Sequence, residues 1–179
     1  MTPTVAVILA AGGSSRLGRP KQLLDYHGEP LIVHAVRVAL GVECDRTLVI
    51  WSDAAPPPPL QGVELIENRD WREGISSSIR AAVRAAGEHA RLLLTLVDQP
   101  LVTAGHLRTL VETNAPIVAT GYRGIAGVPA VFGPEFRDEL LALRGDRGAR
   151  AVIEKHGAVV VPFEAAAIDI DSEEDYRKL

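Results

Sequence analysis

The sequence predicts a three-layer α/β fold, in which helices cover both faces of a mostly parallel β-sheet. Two observations predict it. Short runs of Val, Ile and Leu alternate with helical patterns, and the predicted elements follow the order β-α-β-β-α-β-α-β up to Thr120. Parallel strands are joined by right-handed crossovers, which place helices on both faces of the sheet. With 179 residues, we expect a single domain over residues 1–179 that buries a sizeable core.

The N-terminal half supplies most of the predicted parallel strands. Thr4–Ala10 is a continuous apolar run, as expected of a strand buried on both faces, and a Gly/Ser/Arg loop follows it. Ala54–Pro59 contains four consecutive prolines and predicts an extended loop. The other elements of this half are a helix over Pro30–Leu40, a strand over Thr47–Trp51, a short strand over Val63–Ile66, a helix over Ser76–Ala86 capped by Gly87, and the strongest strand over Leu92–Val97.

The C-terminal half begins with a helix over Ala104–Thr113 and a strand over Ile117–Thr120, and then departs from the alternation. Gly127–Phe132 is short and contains Pro129, which predicts an irregular or edge strand that runs antiparallel to the others. The remaining elements are helices over Glu135–Leu143 and Ala149–His156, a strand over Ala158–Val161 and a capped helix over Ser172–Leu179.

Composition argues against several classes of protein. Apolar residues make up 47% of the chain and charged residues 23%, as in ordinary globular domains, and the net charge of −4 lacks the basic excess of a general nucleic-acid binder. No apolar run approaches the roughly 18 residues of a membrane helix. The N-terminus has no basic stretch typical of a signal peptide, and the single cysteine, Cys44, forms no internal disulfide, so we expect a cytoplasmic location.

The loop over Leu9–Lys21 is the strongest candidate for a ligand site. Its glycines allow tight turns and close backbone approach, and successive backbone N–H groups in such a turn bind anions. No acidic residue lies between Met1 and Pro20. Ligands of open α/β sheets bind at the carboxyl ends of strands, so we expect a polyphosphate here. The glycines and cations of the loop are Gly12, Gly13, Gly18, Arg16, Arg19 and Lys21.

Two common phosphate-binding motifs are absent from this loop. Gly13 and Gly18 have the spacing of a P-loop, but Arg19-Pro20-Lys21 follows in place of Gly-Lys-Ser/Thr. The G-x-G-x-x-G fingerprint of dinucleotide-binding folds is also missing, which disfavours an oxidoreductase on this scaffold.

Aspartates at two further positions are candidate metal ligands. Asp98 closes the strongest strand, where it would hold Mg²⁺ beside the first loop or, equally, cap the helix that begins near Thr103. Asp169 and Asp171 alternate with isoleucines as on a strand, so both are expected on one side, where one of them would reach a metal. The five histidines show no metal-ligand spacing, which points to a hard, oxygen-bound ion.

Three other segments are candidate parts of a ligand site. Ser76, Ser77 and Ser78 offer hydroxyls and free backbone N–H groups at a helix start, a site for an anion or for the edge of a base. Glycines and arginines cluster around Gly127–Gly133 and again over Arg144–Arg150. For these last two segments, a surface turn and a pocket for a second substrate are equally compatible with the sequence.

Taken together, these motifs resemble nucleotidyltransferases with a Rossmann-like catalytic domain, of the nucleotide-diphospho-sugar transferase type, and most closely the molybdenum cofactor cytidylyltransferases. The resemblance spans nearly the whole chain. It rests on the following segments, which occur in the family's order: Leu9–Leu24, Gly74–Ser78, Asp98-Gln99-Pro100, the Gly-x-Pro motif Gly127-Val128-Pro129, Gly145–Arg150 and Asp169–Ser172. Ala11 and Gln99 favour the cytidylyl over the guanylyl branch, whereas Val128 departs from the His that the family often has.

The resemblance implies a role for each motif. It implies that the nucleotide is held by Leu9, Ala10, Ala11, Gly12, Gly13, Ser76, Ser77 and Ser78. Arg16 and Lys21 would bind the triphosphate and stabilise charge as pyrophosphate leaves. Mg²⁺ would be held by Asp98 and Asp171, with Asp169 as the alternative second ligand, and the acceptor would be held by Gly127, Pro129 and Asp146.

The implied activity is Mg²⁺-dependent transfer of CMP from CTP to molybdopterin, with release of pyrophosphate. The implied partners are these two small molecules and a client molybdoenzyme or its chaperone, with neither nucleic acid nor membrane. Two alternatives stay open: nucleotidyl transfer with GTP or a sugar-phosphate acceptor, and a non-catalytic cofactor-binding protein that matures a molybdoenzyme.

Overall fold

The structure is a computed structural model that describes residues 2–14 and 17–179. Its strands are β1 (Thr4–Leu9), β2 (Asp25–Tyr26), β3 (Glu29–Pro30), β4 (Arg46–Trp51), β5 (Glu64–Glu67), β6 (Arg91–Leu96), β7 (Ile117–Tyr122), β8 (Ile125–Phe132) and β9 (Val159–Pro162). Its α-helices are α1 (Leu31–Leu40), α2 (Ile75–Ala86), α3 (Ala104–Glu112), α4 (Arg137–Ala142), α5 (Arg150–His156) and α6 (Glu173–Tyr176). Among these described residues, no helix is both long and apolar enough to cross a membrane.

A seven-stranded sheet with the order β5-β4-β1-β6-β8-β7-β9 forms the middle layer. Strand β1 lies at its centre and pairs in parallel with β4 and β6, so that Val7 lies opposite both Leu48 and Leu94. Strands β2 and β3 form a separate antiparallel pair. The predicted three-layer, mostly parallel α/β fold is therefore confirmed.

The alternation of side chains along β1 divides the core between the two faces of the sheet. Val5 and Val7 pack on one face with Ile79 of α2, whereas Ile8 packs on the other face with Ile32 of α1. Because both faces are covered, all six residues of β1 are buried. This double burial explains why the strand is a continuous apolar run rather than an alternating one.

Of the two alternatives predicted for Gly127–Phe132, the irregular strand is confirmed and the edge strand is wrong. Strand β8 runs antiparallel, as expected, but lies inside the sheet between β6 and β7. Pro129 is accommodated because the ladder with β6 ends at Ala130 and because the register with β7 shifts between Ala119 and Thr120. Val128 and Pro129, joined by a cis peptide bond, lie in this irregularity, where no backbone N–H is required.

Strands β7 and β8 form a hairpin closed by a two-residue turn. Tyr122 pairs with Ile125, and the turn residues Arg123 and Gly124 have φ values of +47° and +71°. Positive φ at both positions is the geometry that matches the twist of the flanking strands. The chain therefore passes from β7 to β8 without a crossover helix.

Other differences from the predicted elements are local. The helix predicted over Glu135–Leu143 divides into a 3₁₀ turn, Pro134–Phe136, followed by α4. The alternation of Asp169 and Asp171 with isoleucines suggested a strand. That prediction is wrong, because residues 168–171 form no strand. The capped C-terminal helix is confirmed as α6, in which Ser172 and Asp175 form a reciprocal capping box.

The central strands predict a contrast between two leucine substitutions. Leu94 in β6 is fully buried, whereas Leu65 on the edge strand β5 is 46% exposed. We expect Leu94→Ala to lower the free energy of unfolding by about 2–5 kcal/mol, because it removes buried methyl groups and leaves a cavity. The matched change Leu65→Ala should cost less than about 0.5 kcal/mol in urea denaturation. Equal losses would contradict the assigned strand order.

Candidate active site

A cleft of about 510 Å³ opens at the carboxyl ends of β1 and β6. Both strands end at the same edge because they are parallel and adjacent, so the segments that follow them meet there. The cleft is lined by Leu9, Ala11, Gly12, Gly13, Ser14, Lys21, Gln22, Trp71, Arg72, Gly74, Ile75, Ser78, Leu96, Val97, Asp98 and Asp146. The first loop and the residues after the strongest strand are therefore brought together, as the sequence predicted.

Lys21 is the cation at the sheet end of this cleft. A 3₁₀ turn, Lys21–Leu23, presents it, and its backbone N–H donates to Ser14 Oγ at 2.9 Å. Its Nζ donates to Asp98 Oδ2 at 2.7 Å and to Asp171 Oδ1 at 3.0 Å. Three distant parts of the sequence thus converge on one ammonium group.

The two carboxylates keep Lys21 charged in spite of its burial. The side chain is 15% exposed, and this burial by itself lowers the pKa of Lys21. The charges and hydrogen bonds of Asp98 and Asp171 outweigh it, so the pKa of Lys21 is raised above its ordinary value. The site therefore retains a fixed positive charge at neutral pH.

Asp98 fits the role of a metal ligand. Its Oδ2 accepts from Lys21, but its Oδ1 is buried and has no hydrogen-bond partner among the described residues. Leaving a buried carboxylate oxygen unpaired is costly, so a cation or an ordered water is expected there. The backbone N–H of Ile170 donates to Asp98 O at 3.0 Å, which brings the Asp169–Asp171 segment to the same place.

Asp171, rather than Asp169, contacts the Lys21 ammonium. The side chain of Asp169 is exposed, yet the partial desolvation of its carboxyl, followed by the negative charges of Asp171 and Asp98, raises its pKa. Within residues 2–14 and 17–179, no group of three or more His, Cys, Asp or Glu side chains forms a complete metal site. A cation here would need further oxygen ligands from a substrate or from water, which is typical of Mg²⁺ bound with phosphates.

Trp71 packs against the glycine loop, a contact that the sequence did not predict. A Cβ atom on Gly13 would lie 2.9 Å from Trp71 Cη2, whereas one on Gly12 would meet nothing within 4 Å. At the other side of the indole, Nε1 donates to Asp53 Oδ1 at 2.6 Å. The Arg72 guanidinium lies 4.4 Å from the ring centroid. Glycine at position 13 is therefore required by the indole.

The three serines at the start of α2 have different roles. Asn68 Nδ2 donates to the hydroxyls of Ser77 and Ser78 at 2.9 and 3.0 Å, and Ser77 donates in turn to Gly74 O. Ser76 Oγ accepts from a side chain in the next turn of the helix. All three serines are buried, and of these only Ser78 lines the cleft. Two of the serines thus stabilise the helix start that presents the third.

Asp146 lines the same cleft as the glycine loop, although the resemblance assigned it to the acceptor. Its neighbour Gly145 accepts from the backbone N–H of Ser76 at 3.2 Å, which fastens this turn to the start of α2. Gly127 and Pro129, the other predicted acceptor residues, are not among the residues that line this cleft.

Gln99 is a further residue whose structural role the sequence did not reveal. Its Nε2 donates to Val128 O at 3.2 Å and to Ala166 O at 2.9 Å, so the residue after Asp98 holds β8 and the segment before Asp169. Gln22 is also buried beside Lys21, and neither atom of its carboxamide has a partner in the described part of the chain.

The predicted site residues therefore differ in their position relative to the cleft. The cleft is lined by Leu9, Ala11, Gly12, Gly13, Lys21, Ser78, Asp98 and Asp146. Ala10, Ser76 and Ser77 are buried and outside that lining, and Asp171 reaches it through Lys21. Arg16 lies outside the described residues.

Comparisons with known proteins show to which proteins the chain is similar. A family model described as a MobA-like NTP transferase domain matches residues 6–159. The chain is 29% identical to a nicotine blue oxidoreductase from Paenarthrobacter nicotinovorans over 97% of this chain and 94% of that protein. It is 29% identical to the purine catabolism protein PucB from Bacillus subtilis over 96% and 93%. A molybdenum cofactor guanylyltransferase from Pseudomonas fluorescens is 32% identical over 62% and 56%.

Solved structures with the same fold include Rv0371c from Mycobacterium tuberculosis H37Rv. It superposes with a TM-score of 0.86 at 28% identity, over 99% of this chain and 96% of that chain. A second structure of that protein, in complex with manganese, superposes with a TM-score of 0.84 at 27% identity, over 99% and 98%. A divalent cation therefore binds a protein of this fold.

The contact between Trp71 and Gly13 predicts a difference between two neighbouring glycines. We expect Gly13→Ala to displace the indole and to destabilise the protein by about 1–3 kcal/mol, as overpacking does. Gly12→Ala has open space around its new methyl group and serves as the matched control. Acrylamide quenching reports the displacement, because the other tryptophan, Trp51, is buried. Unchanged quenching in Gly13→Ala would contradict the packing.

Proposed function

We propose that this chain, which belongs to the MobA-like NTP transferase family, transfers CMP from CTP to a phosphate monoester of molybdopterin and releases pyrophosphate. The observation that carries the proposal is the Lys21 ammonium held between Asp98 and Asp171 at the end of a cleft lined by a glycine loop. A cation, two carboxylates and free backbone N–H groups are the components that a triphosphate and a divalent metal require.

Each component has a separate task in the proposed reaction. The backbone of Ala11–Gly13 holds the nucleotide, and Lys21 binds the triphosphate, with Arg16 assigned to the same task by the resemblance. Asp98 and Asp171 would hold Mg²⁺, which when bound supplies charge neutralisation at the phosphates. The attacking phosphate of the acceptor is already ionised, so no residue of this chain has to act as a strong general base. Catalysis consists of positioning and electrostatic stabilisation.

The identity of both substrates rests on the family resemblance. Similarity to a molybdenum cofactor guanylyltransferase supports a molybdopterin acceptor, while Ala11 and Gln99 favour CTP over GTP. We assign Gly127 and Pro129 to the acceptor side, because Gln99 connects Val128, which lies between them, to the residue after Asp98. The proposal includes a cytoplasmic location and a client molybdoenzyme or its chaperone, with neither nucleic acid nor membrane as partner.

A panel of nucleotides and acceptors tests the proposal. A ligand that binds the folded state raises the apparent stability, so the thermal midpoint is measured with each nucleoside triphosphate and Mg²⁺ or Mn²⁺. We expect CTP to give the largest shift, and pyrophosphate release to require molybdopterin. A larger shift with GTP would overturn the assignment of the base, and release with a sugar phosphate would overturn that of the acceptor.

A second candidate function is a non-catalytic role in maturing a molybdoenzyme. It is favoured by two relatives that cover nearly the whole chain and are named for other processes, the nicotine blue oxidoreductase and the purine catabolism protein PucB. Tight binding of the molybdenum cofactor without turnover of any nucleotide would support this alternative. Consumption of a nicotinamide cofactor would instead indicate an oxidoreductase.

The environment of Asp98 predicts that its charge is needed for the reaction and not for folding. We expect Asp98→Asn to reduce metal-dependent pyrophosphate release at least about hundredfold. The substitution removes a carboxylate ligand of the metal ion, and the metal ion would stabilise the charge on the leaving group. The variant should still fold, with an unchanged circular dichroism spectrum, but its thermal midpoint without ligand should fall because Lys21 loses one of its two charged partners. Asp138→Asn, at an exposed position of α4, is the matched control. Full activity in Asp98→Asn would overturn the metal assignment.

A further inference from the structure

Asp146 is a carboxylate in the cleft with no task in the proposed mechanism. Its side chain is exposed, and in the described part of the chain it forms neither a hydrogen bond nor an ion pair. Other acids around the cleft are engaged: Asp98 accepts from Lys21, and Asp53 accepts from the Trp71 indole. Asp146 is thus available to accept from a ligand.

Asp146 and Lys21 are held by different parts of the structure that lines the cleft. The Gly145–Asp146 turn is fastened to the start of α2, beside Ser78, whereas Lys21 lies at the strand ends with Asp98. Gly74 permits the close approach: its φ is +109°, and a Cβ there would lie 2.5 Å from both Asp146 Oδ1 and Gly145 O. A side chain at position 74 would therefore displace the turn that carries the carboxylate.

Charge decides which part of a nucleotide this carboxylate can face. Two negative groups repel strongly where solvent is partly excluded, so the triphosphate belongs beside Lys21, where a divalent cation held by Asp98 and Asp171 would offset their charge, and not beside Asp146. An ionised carboxylate only accepts hydrogen bonds, so its partner must be an uncharged donor. A nucleotide offers two such donors away from its phosphates, the exocyclic amino group of its base and the hydroxyls of its ribose.

We propose that Asp146 reads the nucleobase by accepting a hydrogen bond from an exocyclic amino group. Carboxylates pair with the amino group of cytosine in this way, and a base that presents a carbonyl oxygen at the same place is repelled. The buried serines at the start of α2 hold this end of the cleft in one conformation, which suits a rigid base. The inference rests on the proposed nucleotide binding and makes Asp146 a specificity-determining residue of that site.

Pairs of nucleotides that differ at the amino group test this assignment. Dissociation constants are measured with Mg²⁺ for CTP against UTP and for GTP against ITP, in the unaltered protein, in Asp146→Asn and in the control Asp138→Asn. We expect the unaltered protein to prefer the amino-bearing member of a pair by roughly tenfold to hundredfold, the effect of losing a hydrogen bond to a charged group. Asp146→Asn should remove most of that preference, and Asp138→Asn should keep it.

The outcomes distinguish this inference from the proposed function. Binding of no nucleoside triphosphate by the unaltered protein would overturn the proposed function itself. Nucleotide binding with the same preference in Asp146→Asn and the unaltered protein would overturn only the role of Asp146. Equal weakening of every nucleotide in Asp146→Asn, together with loss of discrimination against 2′-deoxynucleotides, would assign the carboxylate to the ribose and overturn base recognition.

Discussion

The ammonium group of Lys21 joins two carboxylates that lie 77 and 150 residues away from it in the sequence. Without this cation, Asp98 and Asp171 would repel each other at the edge of the sheet. The C-terminal segment is also held at this place, because the backbone N–H of Ile170 donates to the backbone oxygen of Asp98. The loop after β1, the end of β6 and the C-terminal segment thus depend on one electrostatic constraint.

A second set of polar contacts holds the start of α2, which lines another part of the cleft. Asn68 donates hydrogen bonds to two hydroxyls at the start of α2, and the backbone oxygen of Gly145 accepts from the backbone N–H of Ser76. These groups are buried and satisfied by one another, so they define a single arrangement of the helix start. The part of the cleft at Lys21 is therefore set by ion pairs, whereas the start of α2 is fixed largely by hydrogen bonds and brings the Asp146 carboxylate to the cleft. In the proposed complex, the first part would face the phosphates and the second would face the base.

The sequence allowed the parallel part of the fold to be predicted, because strands buried on both faces leave continuous apolar runs such as Thr4–Ala10. It also located Lys21, Asp98 and Asp171, whose residue types are tied to phosphate and metal chemistry. The irregularity of β8 was predicted from Pro129, but its place inside the sheet was not, because a proline there is tolerated only where a bulge removes the need for its N–H, and that bulge depends on pairing with β7. Contacts between distant residues, such as Trp71 with Gly13, leave no local pattern.

The hairpin of β7 and β8 has a consequence for how this scaffold diversifies. Because β8 runs against its neighbours, its first residues begin at the same edge where β6 ends, and its turn at Arg123–Gly124 projects there without a helix behind it. Insertions at such a turn disturb neither the loop after β1 nor the end of β6. The turn between β7 and β8 can therefore change in length and sequence while the segments after β1 and β6 are kept. In this way, similar chains can acquire different reactions.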